Sequence, residues 1–168
     1  MANNVYDTFN QFFNQQKKNF IDAGIPAKVL RQAAIDSAGE VKDRVEQTGI
    51  KTDGSALPDY STNSFARPRG IRGTGKWKKY PGGYKEFRES VKRQTKHMDL
   101  SLSGDMFGSW RPKPVDQRSY GVTFVSPQMR ERAGYHEARF GEIFSLSKRE
   151  EQNALISINS NAIKYLER

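Results

Sequence analysis

The 168-residue chain has no cysteine, which excludes disulfides, thiolate zinc sites and a cysteine nucleophile. It has only two histidines, His97 and His136, so a histidine-based metal centre would need both plus carboxylates. No stretch approaches the roughly 20 apolar residues that cross a bilayer, so no membrane partner is expected. The opening Met1-Ala-Asn-Asn-Val-Tyr-Asp7 has no basic leader before an apolar run, and no secretory signal is expected. Hydrophobic residues are also scarce, at 35%. That supports a small core, with neighbours expected to supply part of the burial.

What the chain has in excess is positive charge, and it is local. The net charge is +9. Between Ala66 and His97 stand eleven Lys and Arg against only Glu86 and Glu89, and basic and acidic residues balance elsewhere. Such a segment attracts polyanions through counterion release, or docks on an acidic protein surface.

The hydrophobic pattern predicts an α+β chain: helices first, then a small antiparallel sheet with a long basic loop, and a capped helix to close. Val5, Phe9, Phe12, Phe13 and Phe20 recur at helical spacing, so residues 1–23 read as an amphipathic arm. Gly24-Ile25-Pro26 breaks it, and residues 24–168 are expected as a single domain. Its first helix carries Leu30, Ala34, Ala38, Val41 and Val45 on one mostly small stripe. From 48 to 83 no apolar period survives, and an extended loop is expected, ordered by neighbouring chains. Tyr84–Thr95 predicts a short basic helix. Leu100 and Leu102 alternate with serines as a strand would, and Tyr120–Val125 alternates more clearly. Pro112 and Pro114 are assigned to the connection between these two strands. Gln128–Arg139 predicts a charged helix. Ser147-Lys-Arg-Glu150 is a capping box opening a last helix with Leu155, Ile158, Ala162 and Leu166 inward.

Motifs for catalysis break off at the decisive position. Gly70-Ile-Arg-Gly-Thr-Gly75-Lys76 matches a phosphate-binding loop, but Trp77 stands where the magnesium-ligating hydroxyl is needed. The flanking residues also fit neither the strand before such a loop nor the helix after it, leaving a glycine-rich basic loop. His136-Glu137 starts a zinc-protease motif whose second histidine is Phe140. No serine sits in G-x-S-x-G. No catalytic, cofactor-binding or metal-ligating residue is assigned, no cofactor is expected, and the chain is expected not to be an enzyme.

Aromatic residues interleave with the cations. Trp77, Tyr80 and Tyr84, together with Phe9, Phe12 and Phe13 of the arm, are the candidates for subunit interfaces. Arg67, Arg69, Arg72, Lys76, Lys78 and Lys79 are the candidates for an acidic partner or for DNA phosphates. Aromatics of this kind anchor protein interfaces and also stack on bases, and the sequence does not separate the two uses.

Three stretches, in order, resemble the virion-morphogenesis or tail-completion (neck) proteins of tailed bacteriophages. They are Thr48–Thr62 with its Asp53-Gly54 and Tyr60-Ser-Thr62; Pro81–Arg88 leading to Asp99-Leu-Ser-Leu-Ser-Gly104-Asp-Met-Phe-Gly-Ser109; and Tyr135-His-Glu-Ala-Arg-Phe-Gly141 with Phe144-Ser-Leu-Ser147. The resemblance covers about residues 38–165. It implies an α+β subunit without catalytic residues, forming a homo-oligomeric ring at the head–tail neck or tail terminus of a virion assembled in the host cytoplasm. Implied partners are portal or connector proteins and tail proteins. Sequence-independent contact with passing DNA is an inference from the basic excess. The alternative is a stand-alone basic nucleic-acid-binding protein using residues 66–97.

Overall fold

A computed structural model describes residues 27–116 and 119–166; the aromatic arm, with Phe9, Phe12 and Phe13, lies outside them. The fold is α+β. Helix α1 (Ala27–Asp43) runs into a π-helical turn at Arg44–Thr48. Strands β1 (Phe65–Pro68) and β2 (Trp77–Tyr80) form a hairpin, and α2 (Gly83–Ser90) follows. A short α3 (Asp105–Gly108) leads to β3 (Trp110–Asp116) and β4 (Ser119–Phe124). Helices α4 (Pro127–Phe140) and α5 (Lys148–Leu166) complete the chain. Among the described residues the strands make two separate antiparallel pairs, β1–β2 and β3–β4.

The small stripe of α1 is what lets the main core close. Leu30, Ala34, Ala38, Val41 and Val45 are all buried. With only a methyl at Ala38, the ring of Trp110 comes close enough for its indole N–H to donate to the Ala38 carbonyl at 3.2 Å. Trp110 in turn packs on Phe124, centroids 4.6 Å apart, and Phe124 meets Phe144 edge-on at 5.0 Å. Such aromatic contacts contribute roughly 0.5–1.5 kcal/mol each beyond their burial.

Helix α5 lies antiparallel to α1. Their polar flanks are joined by Ser157 donating to Asp36 (2.6 Å) and Asn153 to Glu40 (3.0 Å), with Lys28 over the Tyr165 ring at the far end. The capping box forms: Glu150 N–H donates to Ser147 Oγ, and Ser147 N–H to the Glu150 carboxylate at 2.7 Å. Of the residues assigned inward on α5, Ile158 is fully buried, Leu155 and Ala162 are half-buried, and the Leu166 side chain lies outside those described; Ala154 and Glu150 are the other buried positions.

Two strand assignments are corrected. Leu100–Ser103 is irregular, with Leu100 at φ +52°. The partner of β4 is instead the proline-bearing segment, Pro112 facing Val122 and Pro114 facing Tyr120. In a two-stranded ladder β3 has a free edge, and prolines two apart both turn their missing N–H to that edge. The stretch 48–83 also departs from a single extended loop. It carries the β1–β2 hairpin, and Leu57 and Tyr60 are buried within it.

Candidate functional site

The basic segment is built on a satellite aromatic core separate from the main one. Tyr80 and Phe87 meet edge-on at 5.3 Å, Phe65 stacks on Tyr80 at 5.6 Å, and Tyr60 and Tyr84 close the group at 5.7 Å. The hairpin register pairs Phe65 with Tyr80 and Arg67 with Lys78, with Ala66–Lys79 between them and Pro68–Trp77 at the turn end. Successive side chains point to opposite faces of a strand. The Phe65, Tyr80, Arg67 and Lys78 side chains therefore lie over α2, while those of Ala66, Lys79, Pro68 and Trp77 face outward.

This alternation divides the candidate residues. Trp77 is 73% exposed on the outer face, with Lys79 two residues on. Arg69, Arg72 and Lys76 are exposed at the turn. Among the described residues no carboxylate pairs with Arg69, Arg72, Lys76 or Lys79. Arg67 and Lys78 face inward. The Arg67 guanidinium lies 4.1 Å above the Phe87 ring and donates to the carbonyls of Pro68 (3.3 Å) and Ile71 (3.2 Å). Within the subunit Arg67 thus braces its own turn. Lys78 is half-buried, 4.8 Å over Tyr80 and 3.8 Å from Glu86. Tyr80, proposed as an interface anchor, is 1% exposed and belongs to the chain's own core. Tyr84 is half-buried beside it. The phosphate-loop look-alike is the hairpin turn: Arg69 N–H donates to Lys76 O, and Gly73 N–H to Gly70 O.

Below the hairpin lies a buried polar cluster that the residue pattern does not announce. Arg88, counted with the basic excess, is 1% exposed. It donates to Asp99 at 2.7 Å and to the carbonyls of Gln94 and Ser101 at 2.9 Å. Its guanidinium also covers the Tyr60 ring at 4.4 Å. Asp99 accepts further bonds from the Tyr60 hydroxyl (2.7 Å), the Gln94 amide (2.7 Å) and the Ser101 N–H (2.8 Å). Burial, and the hydrogen bond to Asp99, push the Tyr60 hydroxyl well above the usual tyrosine range. Every strong donor and acceptor in the cluster is answered, so it reads as an internal brace. The available signal was Asp99, an isolated carboxylate beside a run of cations.

Two further charges act as clamps. Arg44 donates to Glu150 at 2.8 Å and to the carbonyls of Ile50, Ile143 and Ser145, joining the end of α1 to the start of α5. Glu137 accepts the N–H groups of Ile143 and Phe144, both at 2.9 Å, and so shapes the turn after α4. Burial raises its carboxyl above the ordinary glutamate value. His136 is half-buried and held below the ordinary histidine range by burial and by Arg139 and Arg132.

Beside the cluster opens a groove of ≈ 470 Å³ between the Tyr60 loop, residues 98–106 and α4. Its apolar lining comes from Met98, Leu100, Leu102, Met106, Met129 and Phe140.

Comparison with protein-family models, with curated proteins and with solved structures finds no match for the chain. Among the described residues no helix is long and apolar enough to cross a membrane.

Proposed function

We propose that the chain is a structural subunit of a tailed-phage virion, forming a ring at the head–tail neck or tail terminus through which DNA passes. The observation that carries this reading is the outer face of the β1–β2 hairpin. There Arg69, Arg72, Lys76 and Lys79 surround an exposed Trp77 with no carboxylate of the described chain to answer them. Such a surface is complementary to something outside the subunit, an acidic neighbour or passing phosphates. The hairpin stands on its own small core and so presents this face without drawing on the main one. The ordered resemblance of three stretches to neck proteins supplies the assembly context.

The purified protein should sediment as a closed oligomer and appear as rings in the electron microscope, and it should be found in intact particles. A monomer at every concentration would sink the proposal.

A second reading, a stand-alone nucleic-acid-binding protein, is favoured by Trp77. An exposed indole among cations offers a base-stacking platform worth roughly 1–3 kcal/mol. It predicts tight binding of single-stranded nucleic acid by the monomer, lost in Trp77→Ala; the ring reading predicts no such dependence.

A further inference from the structure

The turn of the β1–β2 hairpin spends its acceptors and keeps its donors. Gly73 N–H donates to Gly70 O at 3.1 Å, so Ile71 and Arg72 are the two central residues of a β-turn. Gly73 follows at φ +67°. A turn that runs into a left-handed residue aims successive backbone N–H groups to one side, a concavity that takes an anion. The carbonyls of residues 68–71 are all answered from within. Arg67 donates to those of Pro68 and Ile71, Gly75 N–H to that of Arg69, and Gly73 N–H to that of Gly70. Among the described residues the N–H groups of Ile71, Arg72 and Thr74 meet no acceptor.

The charges around this turn have one sign. Arg69, Arg72, Lys76 and Lys79 are exposed. The acids of the basic segment, Glu86 and Glu89, lie on α2. Glu86 is held by Lys78 at 3.8 Å and by the Gly82 N–H at 2.8 Å, and among the described residues Glu89 pairs with none of the four. Gly70 has open space where a Cβ would stand, so an oxyanion can come up to the backbone there.

A phosphodiester and a carboxylate would both satisfy such donors, and Trp77 separates them. Among the described residues it is the one large apolar side chain exposed between Leu57 and Trp110. The centre of a protein interface is depleted in charge and packs apolar surface around its aromatic anchor. Trp77 shares its face with Ala66, Pro68 and Lys79 and follows Lys76 in sequence, too little apolar surface for such a centre. Its indole carries a donor and no acceptor, which adds to the polarity of the turn. A sugar–phosphate backbone is the complement: charged acceptors repeated along a strand.

We propose that the turn at residues 70–76 is a contact for the phosphodiester backbone of duplex DNA. The Ile71, Arg72 and Thr74 N–H groups and the Arg72 and Lys76 side chains donate to its oxygens. The inference takes its duplex ligand from the ring reading, and it decides between the two partners which that reading leaves to this face. The contact reads phosphate alone and is indifferent to base sequence.

The backbone donors permit a test that leaves the charge untouched. Proline suits the first central position of a β-turn, and Gly70 before it has no Cβ to clash. Ile71→Pro therefore removes one N–H and keeps the turn, while Ile71→Ala shortens the side chain and keeps the N–H. Binding of a mixed-sequence DNA duplex to the full-length chain is measured by fluorescence anisotropy across a salt series, with sedimentation and thermal melts of the same samples. Ile71→Pro should bind roughly tenfold more weakly than Ile71→Ala at each salt concentration, the scale of one charge-assisted hydrogen bond, with the salt slope unchanged. Arg72→Gln should reduce that slope by roughly 0.9. Equal affinities for the proline and alanine variants, with equal melts, overturn the backbone contact. If the proline lowers the melt, the Arg72→Gln slope decides, and a slope equal to the parent's overturns the phosphate assignment. Rings that bind no duplex overturn it too and leave the ring reading standing. Arg72→Gln chains that no longer form rings overturn it in favour of an acidic neighbour. A parent chain that binds duplex in this way but stays monomeric at every concentration removes the ring reading and keeps the phosphate contact.

Discussion

Arg88 and Arg44 turn their charges inward, and this changes what the basic excess means. A guanidinium buried with Asp99 and two carbonyls contributes nothing to an external field. Arg88→Ala should destabilise the fold by roughly 3–5 kcal/mol, because Asp99 would be left buried without its counter-charge. A urea midpoint little changed from that of the parent would show that the cluster is not the brace described. Glu137 allows a test of sign. Its folded pKa lies above the ordinary value of 4.5, mainly through burial. Its contribution to stability is therefore fully present below that value and is lost as pH rises through the raised folded one. Glu137→Gln keeps an acceptor for the Ile143 and Phe144 N–H groups without the charge. Between pH 4 and pH 7 the stability difference should shift in favour of the glutamine variant, as read from urea melts at the two pH values. A constant difference would refute the linkage.

At the scale of elements, helices were legible and the irregular chain was not. The stripe of α1, the charged α4 and the capped α5 each bury one face of a 3.6-residue period, and that period is written in the residue order. The β3 strand was hidden because proline usually argues against a strand; only the free edge of a two-stranded pair makes it acceptable. The β1–β2 hairpin was hidden because two of its four inward positions are Arg67 and Lys78, which break the apolar alternation. Gly83 marks the junction of hairpin and α2. It has φ +74°, and an added Cβ would run into the backbone of Ser61 and Thr62. Gly104 has φ +85° but open space around it. Gly83→Ala should therefore cost about 2–4 kcal/mol, strain plus overlap, and Gly104→Ala only about 1–2 kcal/mol. Equal losses in thermal melts would mean that the close approach at Gly83 is unimportant.

At the scale of the whole molecule, the fold separates a main core from an aromatic satellite that carries the cationic hairpin. Arg69, Arg72, Lys76 and Lys79 can be changed without touching either core. Replacing all four with glutamine should leave the melting behaviour intact. If the hairpin meets DNA, the salt dependence of duplex binding should weaken by roughly 0.9 logarithmic units of slope for each phosphate the variant no longer neutralises. If the face meets an acidic neighbour, the same variant should fail to assemble while its weak DNA binding keeps its slope. Arg67→Gln is a useful contrast: it should loosen the turn and lower stability, since its guanidinium braces Pro68 and Ile71 carbonyls.

The residue order by itself determined the α+β class, the helices with one clear apolar face, the capping box and the position of the charge excess. Each of these depends on neighbours within a few turns of chain. Only the tertiary structure decided which cations face solvent, because burial of Arg88 depends on Asp99 and that of Arg67 on the Phe87 ring, contacts made across loops. It likewise decided that Tyr80 is core, that two prolines lie in a strand, and that two leucines line a groove. Those outcomes are set by what packs alongside, and no local period encodes it.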